Sequence, residues 1–556
     1  MELSRAEYAS LYGPTVGDRV RLGDTDLLVT VEADDTALGH EPLVGFGKTI
    51  RDGQLSSGSQ PLGEAMDGVI TNVVLLDPVL GVRKTCIGLR DGRIAAVGRA
   101  GNPDRDPSVT VPISAATGIY AAEGLIATPG AVDTHVHLIG PQLVDVALSG
   151  AITTVAAMSY SGAFDLGINP RGNFDRLLDA WASVPINLLP LVRASTAEHG
   201  FLEELLAMGG GGFKVHEDVG AYPPIIDAAL AVADRHDVQV ALHADGLGET
   251  ATLEETLEAI AGRAVHAYHV EGCGGGPVNL LEAVAEPNVL PSSTTPTVPF
   301  GVNAVAEHEE MIRTVHRLHP LLPNDATAAR ARIRGWTMAA ESVLHDAGAI
   351  SVISSDSMGM GRLGEVVRRT WQLAHVMQEQ GGAGVEAGNE RVLRYLAKIT
   401  INPASVHGIA HEVGSLESGK LADIVLWRPA FFGAKPQLVL KAGFPVWGAL
   451  GSGSGSTRLG EPIVQGRLWG GLGAAPGQLA SVFTSAAGAD RVRRHWPGRV
   501  SVVHGARDLR KADMVLNAAT PRVEVDPERR EVRVDGRAAL VEPASRLPLN
   551  HSYFLT

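Results

Sequence analysis

The sequence predicts an α/β protein built on a (β/α)8 barrel, with a β-rich domain assembled from the chain on either side of the barrel. Between about residues 131 and 405, apolar strand-like runs alternate with amphipathic helical patterns. That alternation indicates a parallel sheet, and a length of about 250 residues is typical of this kind of barrel. Runs of β-branched residues between turn signals precede and follow the alternating region, and these predict the second domain.

The β-rich pieces come first and last. From Val69 to Gly98, short apolar runs are separated by Asp-Pro, Leu-Gly and Arg-Asp-Gly, which are turn signals between strands. A similar stretch, 413–427, follows the barrel region, and we infer that the two pieces join into one domain. The expected divisions are 1–130 for the N-terminal β-rich segment, 131–405 for the barrel with an insertion at about 300–335, 406–485 for the return to the β domain, and 486–556 for a C-terminal β region with a hairpin. The run 451–456, Gly-Ser-Gly-Ser-Gly-Ser, reads as a flexible loop.

Within the barrel region, strands and helices follow each other in clear order. The runs 238–243 (VQVALH) and 263–269 (RAVHAYH) are strand-like, and the amphipathic run 253–260 (LEETLEAI) between them is helical. These segments predict consecutive βα units.

Composition excludes several classes of partner. The formal net charge of the chain is −15, which argues against nucleic acid or an anionic membrane as a partner, because both require a basic face on the protein. The sequence contains no run of about 20 apolar residues, which is the length that a helix needs to span a bilayer. Two cysteines give no disulfide framework, so a reducing cytoplasm is the expected location.

Two histidines follow an apolar run and a Pro-Gly step. His135 and His137 are two residues apart, so on a strand they point to the same face. Paired imidazoles are suited to Zn, Ni, Fe or Cu, although a structural pair on a strand is the simpler alternative.

Further ionisable residues stand where barrel strands are expected to end. Lys214 and His216 share one strand face, and His243, His269 and Asp356 each close an apolar run. His137 to Lys214 is 77 residues, Lys214 to His243 is 29 and His243 to His269 is 26, which fits strands one, four, five and six. The 87 residues from His269 to Asp356 are long for two units, so an insertion is expected there. Because the carboxyl ends of barrel strands converge, these groups are predicted to meet.

Each member has an ordinary alternative when taken alone. Taken alone, Lys214 would be a solvated or paired lysine, and His243 or His269 would be a core histidine with a satisfied hydrogen bond. Asp356 would cap the segment that follows it. A lysine buried with the others loses its charge more readily, and its neutral amine becomes available for chemistry. Taken together, the set favours a metal site.

Five motifs carry a resemblance to a known family. They are Asp133-Thr134-His135-Val136-His137, Lys214-Val215-His216-Glu217-Asp218, Glu271-Gly272-Cys273-Gly274-Gly275-Gly276, Asn288-Val289-Leu290-Pro291-Ser292-Ser293-Thr294 and Ile353-Ser354-Ser355-Asp356-Ser357. The similarity extends from the N-terminal Leu3-Ser4-Arg5-Ala6-Glu7-Tyr8 to the C-terminal Tyr553-Phe554-Leu555. On these motifs the chain resembles the catalytic alpha subunit of urease, in the amidohydrolase superfamily.

The resemblance implies a dinuclear metal centre. Lys214 would react with carbon dioxide, and its carbamate would bridge two nickel ions. One ion would also be held by His243 and His269, and the other by His135, His137 and Asp356. Zinc, iron and manganese remain open, because the preferences of imidazole and carboxylate ligands overlap.

The resemblance also implies the residues that act on urea. His216 would donate to the carbonyl oxygen, and the main chain near Gly274 would orient an amide nitrogen. The insertion resembles the family's flap, with His316 as the group that protonates departing ammonia, supported by Asp218 and Arg332. A histidine suits that step because its usual pKa lies nearest neutral pH.

Several positions depart from the family's pattern. Val315 replaces the flap cysteine, Val219 the tryptophan after His-Glu-Asp, and Pro277 the histidine after the glycine run; Met358 and Gly359 replace Gln-Ala after Asp356. None of these is an implied metal ligand. Two alternatives to a nickel urease subunit therefore stay open: an amidohydrolase for another amide, and a paralogue with weak or no activity.

The resemblance further implies an assembly. The chain would work with urease beta and gamma subunits as a trimer of the heteromeric unit, and metallochaperone accessory proteins would deliver the metal. The substrate would be the small molecule urea.

Overall fold

A computed structural model of the chain describes residues 3–36, 39–45, 47–50, 55–158, 169, 171–216, 220–243, 251–272, 276–381, 388–450 and 464–550. The predicted loop 451–456 lies outside these ranges. Within them, no helix combines the length and the apolarity needed to cross a membrane.

The N-terminal segment is mostly β. Its elements are α1 (Arg5–Tyr12), β1 (Arg19–Arg21), β2 (Leu28–Thr30), β3 (Ala33–Asp34), β4 (Gly68–Asp77), β5 (Gly81–Arg90), β6 (Arg93–Gly98), β7 (Ala100–Gly101), β8 (Val111–Pro112), β9 (Gly118–Ala121) and β10 (Ile126–Pro129). The turns predicted between Val69 and Gly98 separate β4, β5 and β6, which pair antiparallel in sequence.

Eight parallel strands follow, each hydrogen-bonded to the next in chain order. They are β11 (Ala131–His137), β12 (Ile152–Met158), β13 (Asn187–Arg193), β14 (Gly212–His216), β15 (Gln239–His243), β16 (Val265–Tyr268), β17 (Val289–Thr294) and β18 (Val352–Ser354). The ring closes where Ser357, just beyond β18, bridges Val136 of β11. Its amide donates to His135 O at 3.2 Å, and its carbonyl accepts from His137 N at 3.1 Å. The predicted (β/α)8 barrel is thereby confirmed.

Helices surround this ring. They are α2 (Leu143–Ser149), α3 (Arg171–Trp181), α4 (His199–Met208), α5 (Pro223–His236), α6 (Leu253–Ile260), α7 (Ala304–Val315), α8 (Pro323–Arg332), α9 (Gly335–Asp346), α10 (Val366–Glu379), α11 (Asn389–Ala397) and α12 (Ile401–Val406). Local sequence sets their ends: Thr252 and Glu255 form a capping box on α6. Helix α5 begins with proline, which costs no hydrogen bond at this position because the first amides of a helix have no partner within the helix. Helices α7 and α8 occupy the predicted insertion.

The remaining elements follow the barrel. They are β19 (Ile424–Trp427), β20 (Leu438–Lys441), β21 (Phe444–Leu450), β22 (Val464–Arg467), α13 (Ala475–Leu479), β23 (Ser481–Thr484), α14 (Ala489–His495), β24 (Arg499–Val502), β25 (Val523–Asp526), β26 (Glu531–Val534) and β27 (Arg537–Ala538). Short 3-10 helices cover Leu62–Glu64, Leu280–Ala285, Leu363–Glu365, Pro429–Phe431, Trp469–Gly471 and Lys511–Asp513.

The composite β domain is present as predicted. Strand β10 pairs antiparallel with β19, from Ile126 opposite Trp427 to Pro129 opposite Ile424, and the joined sheet has ten strands. Strands β25 and β26 form the expected C-terminal hairpin. Strands β23 and β24, by contrast, join the barrel sheet through β13, and α14 packs its buried Val492 near α3 and α4. The C-terminal region is therefore not β throughout, and the domain divisions themselves stay predictions.

The inside of the barrel is filled rather than hollow. Side chains from alternate strands, including Val132, Leu189 and Leu191, pack with Ala404 and Ile409 from beyond the last strand. Such layers close the lower end of a barrel. The open end is the one at which the strands terminate, and the candidate site lies there.

Candidate metal centre

The six predicted metal ligands lie at the carboxyl ends of barrel strands. His135 and His137 are in the first strand, Lys214 in the fourth and His243 at the end of the fifth. His269 follows the sixth strand directly, and Asp356 lies two residues beyond the eighth. All six are at least nine-tenths buried, from His135 and His269 at 1% to His243 at 8% exposed. The strand assignments made from spacing are confirmed.

Three of these residues form a compact group. The Asp356 Oδ1 atom lies 3.2 Å from His135 Nε2 and 3.2 Å from His137 Nε2, and the second contact has hydrogen-bond geometry. The candidate ligand atoms of the three all lie within 4.8 Å of one another. Two imidazoles and a carboxylate at this spacing are a donor set suited to a transition metal.

The other histidines continue the cluster across the barrel mouth. The ring centroids of His243 and His269 are 4.0 Å apart, edge to face, and His269 lies 5.4 Å from His135. His216 stacks on His243 at 4.0 Å. The four rings therefore connect the first strand to the fourth through the fifth and sixth.

Burial favours the neutral form of His135 and His243. It is the largest cause that lowers the pKa of His135, followed by the positive charge of Lys214. Burial also lowers the pKa of His243, with His216 next in effect. Neutral imidazoles present lone pairs, which is the form that binds metal.

Asp133 and Asp356, two buried aspartates of the site, behave oppositely. Burial raises the pKa of Asp133 to about 7, even though it accepts hydrogen bonds from His135 N at 3.1 Å and Ser355 N at 3.0 Å. Burial also opposes ionisation of Asp356, but the His137 hydrogen bond, the electrostatic effects of His137 and His269, and the Met360 amide outweigh it and lower the pKa. Asp356 is therefore the anionic member of the group.

The cluster meets a test of fit to a metal. In the part of the chain that the structure describes, neither ring nitrogen of His135 has a hydrogen-bond partner, and His137 Nδ1 has none. Buried polar groups are almost always paired, so orphaned imidazole nitrogens beside a carboxylate call for a ligand. Residues His135, His137 and Asp356 fit one metal ion.

The loop after β18 shapes the group from above. Asp356 and Met358 both adopt left-handed backbone conformations, with φ of 56° and 64°. The amides of Gly359 and Gly361 donate to Asp356 O at 3.1 and 2.9 Å, and Met360 N donates to Asp356 Oδ2 at 3.2 Å. A Cβ at Gly361 would collide with the carbonyl of Ser355, so the tight turn requires a glycine there.

The residues predicted for the flap lie on or directly beside the two inserted helices. His316 caps the C-terminal end of α7 and is half-buried, and Arg332 is half-buried in the last turn of α8. The pKa of His216 is lowered, and burial is the largest cause. Lys214 is the next largest cause, and His316 is among the smaller electrostatic ones. His316 therefore lies near enough to the site to influence it electrostatically.

Some predicted positions fall outside the described residues. Asp218, Gly274 and Val219 are among them. Of the other departures from the family pattern, Val315 packs beside the flap's apolar cluster, and Pro277 follows Gly276, whose carbonyl accepts from Arg334 Nη2 at 3.2 Å.

Two residues of the site were not singled out from sequence. Asp133 ties the first strand to the chain after the eighth, and its place two residues before His135 was the available signal. Tyr268 touches both His135 and Lys214. Its position, adjacent to His269, was a weak signal, because the contact depends on how distant strands are staggered.

A second group of possible ligands is a poor metal site. Asp26, His375 and Glu379 lie close together near the N-terminal segment. The amide of Asp26 donates to His375 Nδ1 at 3.2 Å, so the ring proton is on Nε2, which faces Glu379 Oε2 at 3.4 Å. That nitrogen has no lone pair to offer in this tautomer.

Comparison with known proteins gives the site its context. Residues 126–445 match the amidohydrolase family, and residues 1–120 match the urease alpha-subunit N-terminal domain. The chain is 50% identical over 552 residues to urease subunit alpha 1 of Streptomyces avermitilis, covering 99% of each chain. It is 49% identical over 559 residues to urease subunit alpha 2 of Streptomyces coelicolor, covering 100% of each. A dihydropyrimidinase structure from Brevibacillus agri aligns at 14% identity and a TM-score of 0.48, over 68% of this chain and 94% of that one.

The match over residues 126–445 and the barrel that carries the candidate ligands at its strand ends place the chain in the amidohydrolase family. The near full-length identity to two curated relatives is more specific. The chain belongs to the urease alpha-subunit family.

Proposed function

We propose that this chain is the catalytic subunit of a urease and hydrolyses urea to ammonia and carbamate at a dinuclear nickel centre. One observation carries the proposal: six candidate ligands from five barrel strands are buried together at the strand ends of a chain in this family. Two metal ions bound there would supply a polarised substrate carbonyl and a nucleophilic hydroxide at neutral pH.

The proposed ligand assignment follows the clusters. His135, His137 and Asp356 would hold one ion, His243 and His269 the other, and Lys214 would bridge them as a carbamate. In forming the carbamate, the neutral Nζ makes a bond to the carbon of carbon dioxide and releases one proton. The 98% burial of Lys214 supports this step, because burial favours the neutral amine.

The remaining roles belong to side chains around the ligands. A neutral His216 would donate its N–H to the substrate carbonyl oxygen, and its lowered pKa supports that form at pH 7. His316 on the flap would give a proton to departing ammonia, with Asp218 and Arg332 positioning it and the main chain at Gly274 orienting an amide nitrogen. A flap that covers the site would exclude water during the reaction.

The family name describes a subunit, and this supports an assembly. We propose that the chain works with urease beta and gamma subunits as a trimer of that unit, and that metallochaperone accessory proteins load the metal in the cytoplasm.

The test is a substrate and metal panel on the co-expressed complex. Nickel-loaded complex should release ammonia from urea and much less from acetamide. Ring opening of hydantoin and dihydrouracil, which yields carbamoyl amino acids and no ammonia, is followed by chromatography and should be much slower. Zinc-, manganese- and iron-loaded samples should be much less active. The matched control is Asp356→Asn, which keeps the shape of the ligand and removes its charge. Hydrolysis of a cyclic amide in preference to urea would instead identify another amidohydrolase. A fully nickel-loaded complex without ammonia release would identify a non-catalytic paralogue.

A further inference from the structure

A tyrosine lies between two of the proposed ligands. Tyr268, the last residue of β16, is 0% exposed. Its ring stacks on the His135 imidazole, with centroids 3.9 Å apart and planes 18° from parallel. The Nζ atom of Lys214 lies 3.9 Å from the centroid of the same ring. One side chain from the sixth strand therefore touches a ligand from the first strand and the lysine from the fourth.

The phenol group holds the backbone next to His135. Its hydroxyl donates to the carbonyl of Thr134. The ladder between β11 and β12 passes from Asp133 to Val136 and skips Thr134 and His135. On the β12 side, therefore, no ladder bond fixes these two residues. From the other side, the Ser357 amide and the Ser355 hydroxyl hold the His135 carbonyl at 3.2 and 3.0 Å, and the hydrogen bond from Tyr268 holds the Thr134 carbonyl.

The ring and the hydroxyl act on different parts of the site. The ring is a rigid apolar surface against which the flexible Lys214 side chain rests, and it excludes water from the amine. The hydroxyl fixes the ring and the Thr134 carbonyl together, so the His135 imidazole stacked on that ring has little freedom to rotate. Precise placement of ligands by their neighbours strengthens metal binding.

We propose that Tyr268 is a positioning residue that seats Lys214 and His135 for assembly of the metal centre. The inference rests on the proposed carbamate-bridged centre and adds to it a residue outside the ligand set.

Two substitutions separate the contributions of the ring and the hydroxyl. Tyr268→Leu removes the ring, and Tyr268→Phe removes only the hydroxyl. Tyr395→Leu and Tyr395→Phe are matched controls, because Tyr395 is also 0% exposed and its hydroxyl donates at 3.1 Å to Asp346, away from the strand ends. Each purified complex is loaded at graded nickel and bicarbonate concentrations. Metal per chain is measured by mass spectrometry, and lysine carbamate by NMR with isotope-labelled bicarbonate.

For Tyr268→Leu, the nickel concentration for half-loading should rise about tenfold or more, which is the usual effect of losing a ligand's supporting contact. The carbamate signal should fall at low bicarbonate and recover at high bicarbonate. Tyr268→Phe should raise the half-loading concentration about threefold, as expected when one buried hydrogen bond is lost. Both Tyr395 variants should load like the wild type.

The outcomes distinguish this inference from the function on which it rests. Normal nickel loading and carbamate in Tyr268→Leu would overturn the positioning role while leaving the metal centre in place. If the leucine variant fails to fold, normal loading of Tyr268→Phe would overturn it. A wild-type complex that takes up neither nickel nor label would instead contradict the proposed function.

Discussion

The strand ends and the flap contribute differently to the same site. The proposed ligands His135 and His137 are 1% and 3% exposed and are fixed by the barrel on several sides. His316, by contrast, is half-buried at the end of α7, where its amide donates to Ile312 O at 3.1 Å. The metal-binding part of the site therefore belongs to the barrel framework, whereas the proposed proton donor belongs to a helical insertion.

The flap is nevertheless connected to the ligands. Its apolar cluster joins Ile312 of α7 and Ala329 of α8 to Met360, and the Met360 amide donates to Asp356 Oδ2. This contact reaches the ligand loop but not the strands themselves. We therefore expect changes in the flap to alter turnover more than metal content, and changes at the strand ends to alter both.

The largest effect should come from removing the bridging lysine. Lys214→Met keeps all but the last atom of the side chain's length and deletes the amine, so no carbamate can form. Metal content should fall well below two ions per chain, and urea hydrolysis should drop by more than about 10³-fold, because metal activation of the nucleophile is lost. Metal analysis and an ammonia-release assay on the co-expressed complex measure both quantities.

The matched control for this variant is another buried lysine. Lys511 is 0% exposed, and its Nζ donates to Val284 O at 2.5 Å, in the C-terminal region. Lys511→Met loses the same chemical group and should cost stability while retaining metal and turnover. Full metal loading of Lys214→Met would show that the lysine does not bridge the ions.

A smaller effect is expected on the flap side. His316→Ala removes the proposed proton donor, and kcat should fall by about 10² to 10⁴, the usual contribution of general acid catalysis. Nickel per chain should stay at the wild-type value, because no barrel strand is changed. Steady-state kinetics and metal analysis on the same preparation measure the two readouts.

Three residues further along, exposed His319 provides the control. Its Nδ1 accepts from Leu321 N at 3.2 Å within the flap turn, so His319→Ala perturbs the same segment without removing the proposed donor. It should retain most of the activity. Equal losses in the two variants would assign the effect to flap folding rather than to proton transfer.

The same contrast explains what sequence could predict. The nearly constant length of βα units predicts Lys214 and His243 on strands four and five, and strand periodicity predicts that His135 and His137 face the same way. The composite sheet followed from two similar strand-rich stretches on either side of the barrel. These features are set by local patterns that recur along the chain.

What could not be predicted depends on pairing between distant segments. One example is the irregular stretch at Thr134 and His135, which the ring of Tyr268 contacts. Predicting this contact would require knowing how strands one and six are staggered relative to each other. The addition of β23 to the barrel beside β13 has no local signal either, because a short apolar run fits several sheets equally well. Tertiary packing decides such choices.

The smallest predicted effect is on the pH dependence of folding stability, and it concerns a histidine on flap helix α7 rather than a barrel strand. His308 is fully buried on α7, its Nδ1 lies 3.2 Å from Ala304 O, and among the described residues its Nε2 has no hydrogen-bond partner. Burial lowers its pKa to about 4, and the Ala304 hydrogen bond only partly opposes this. Between that value and the ordinary pKa of about 6.5, the unfolded chain binds a proton that the folded chain does not.

Stability should therefore fall as the pH drops through this window, by about 2 kcal/mol between pH 7 and pH 5 from this group alone. His308→Asn can keep a donor to Ala304 and removes the titration, so its melting temperature should fall less than that of the wild type over the same interval. The exposed His199 on α4 is the control, and His199→Asn should follow the wild type. Parallel melting curves for His308→Asn and the wild type would mean that His308 is already solvated, and that the flap helix opens before the barrel unfolds.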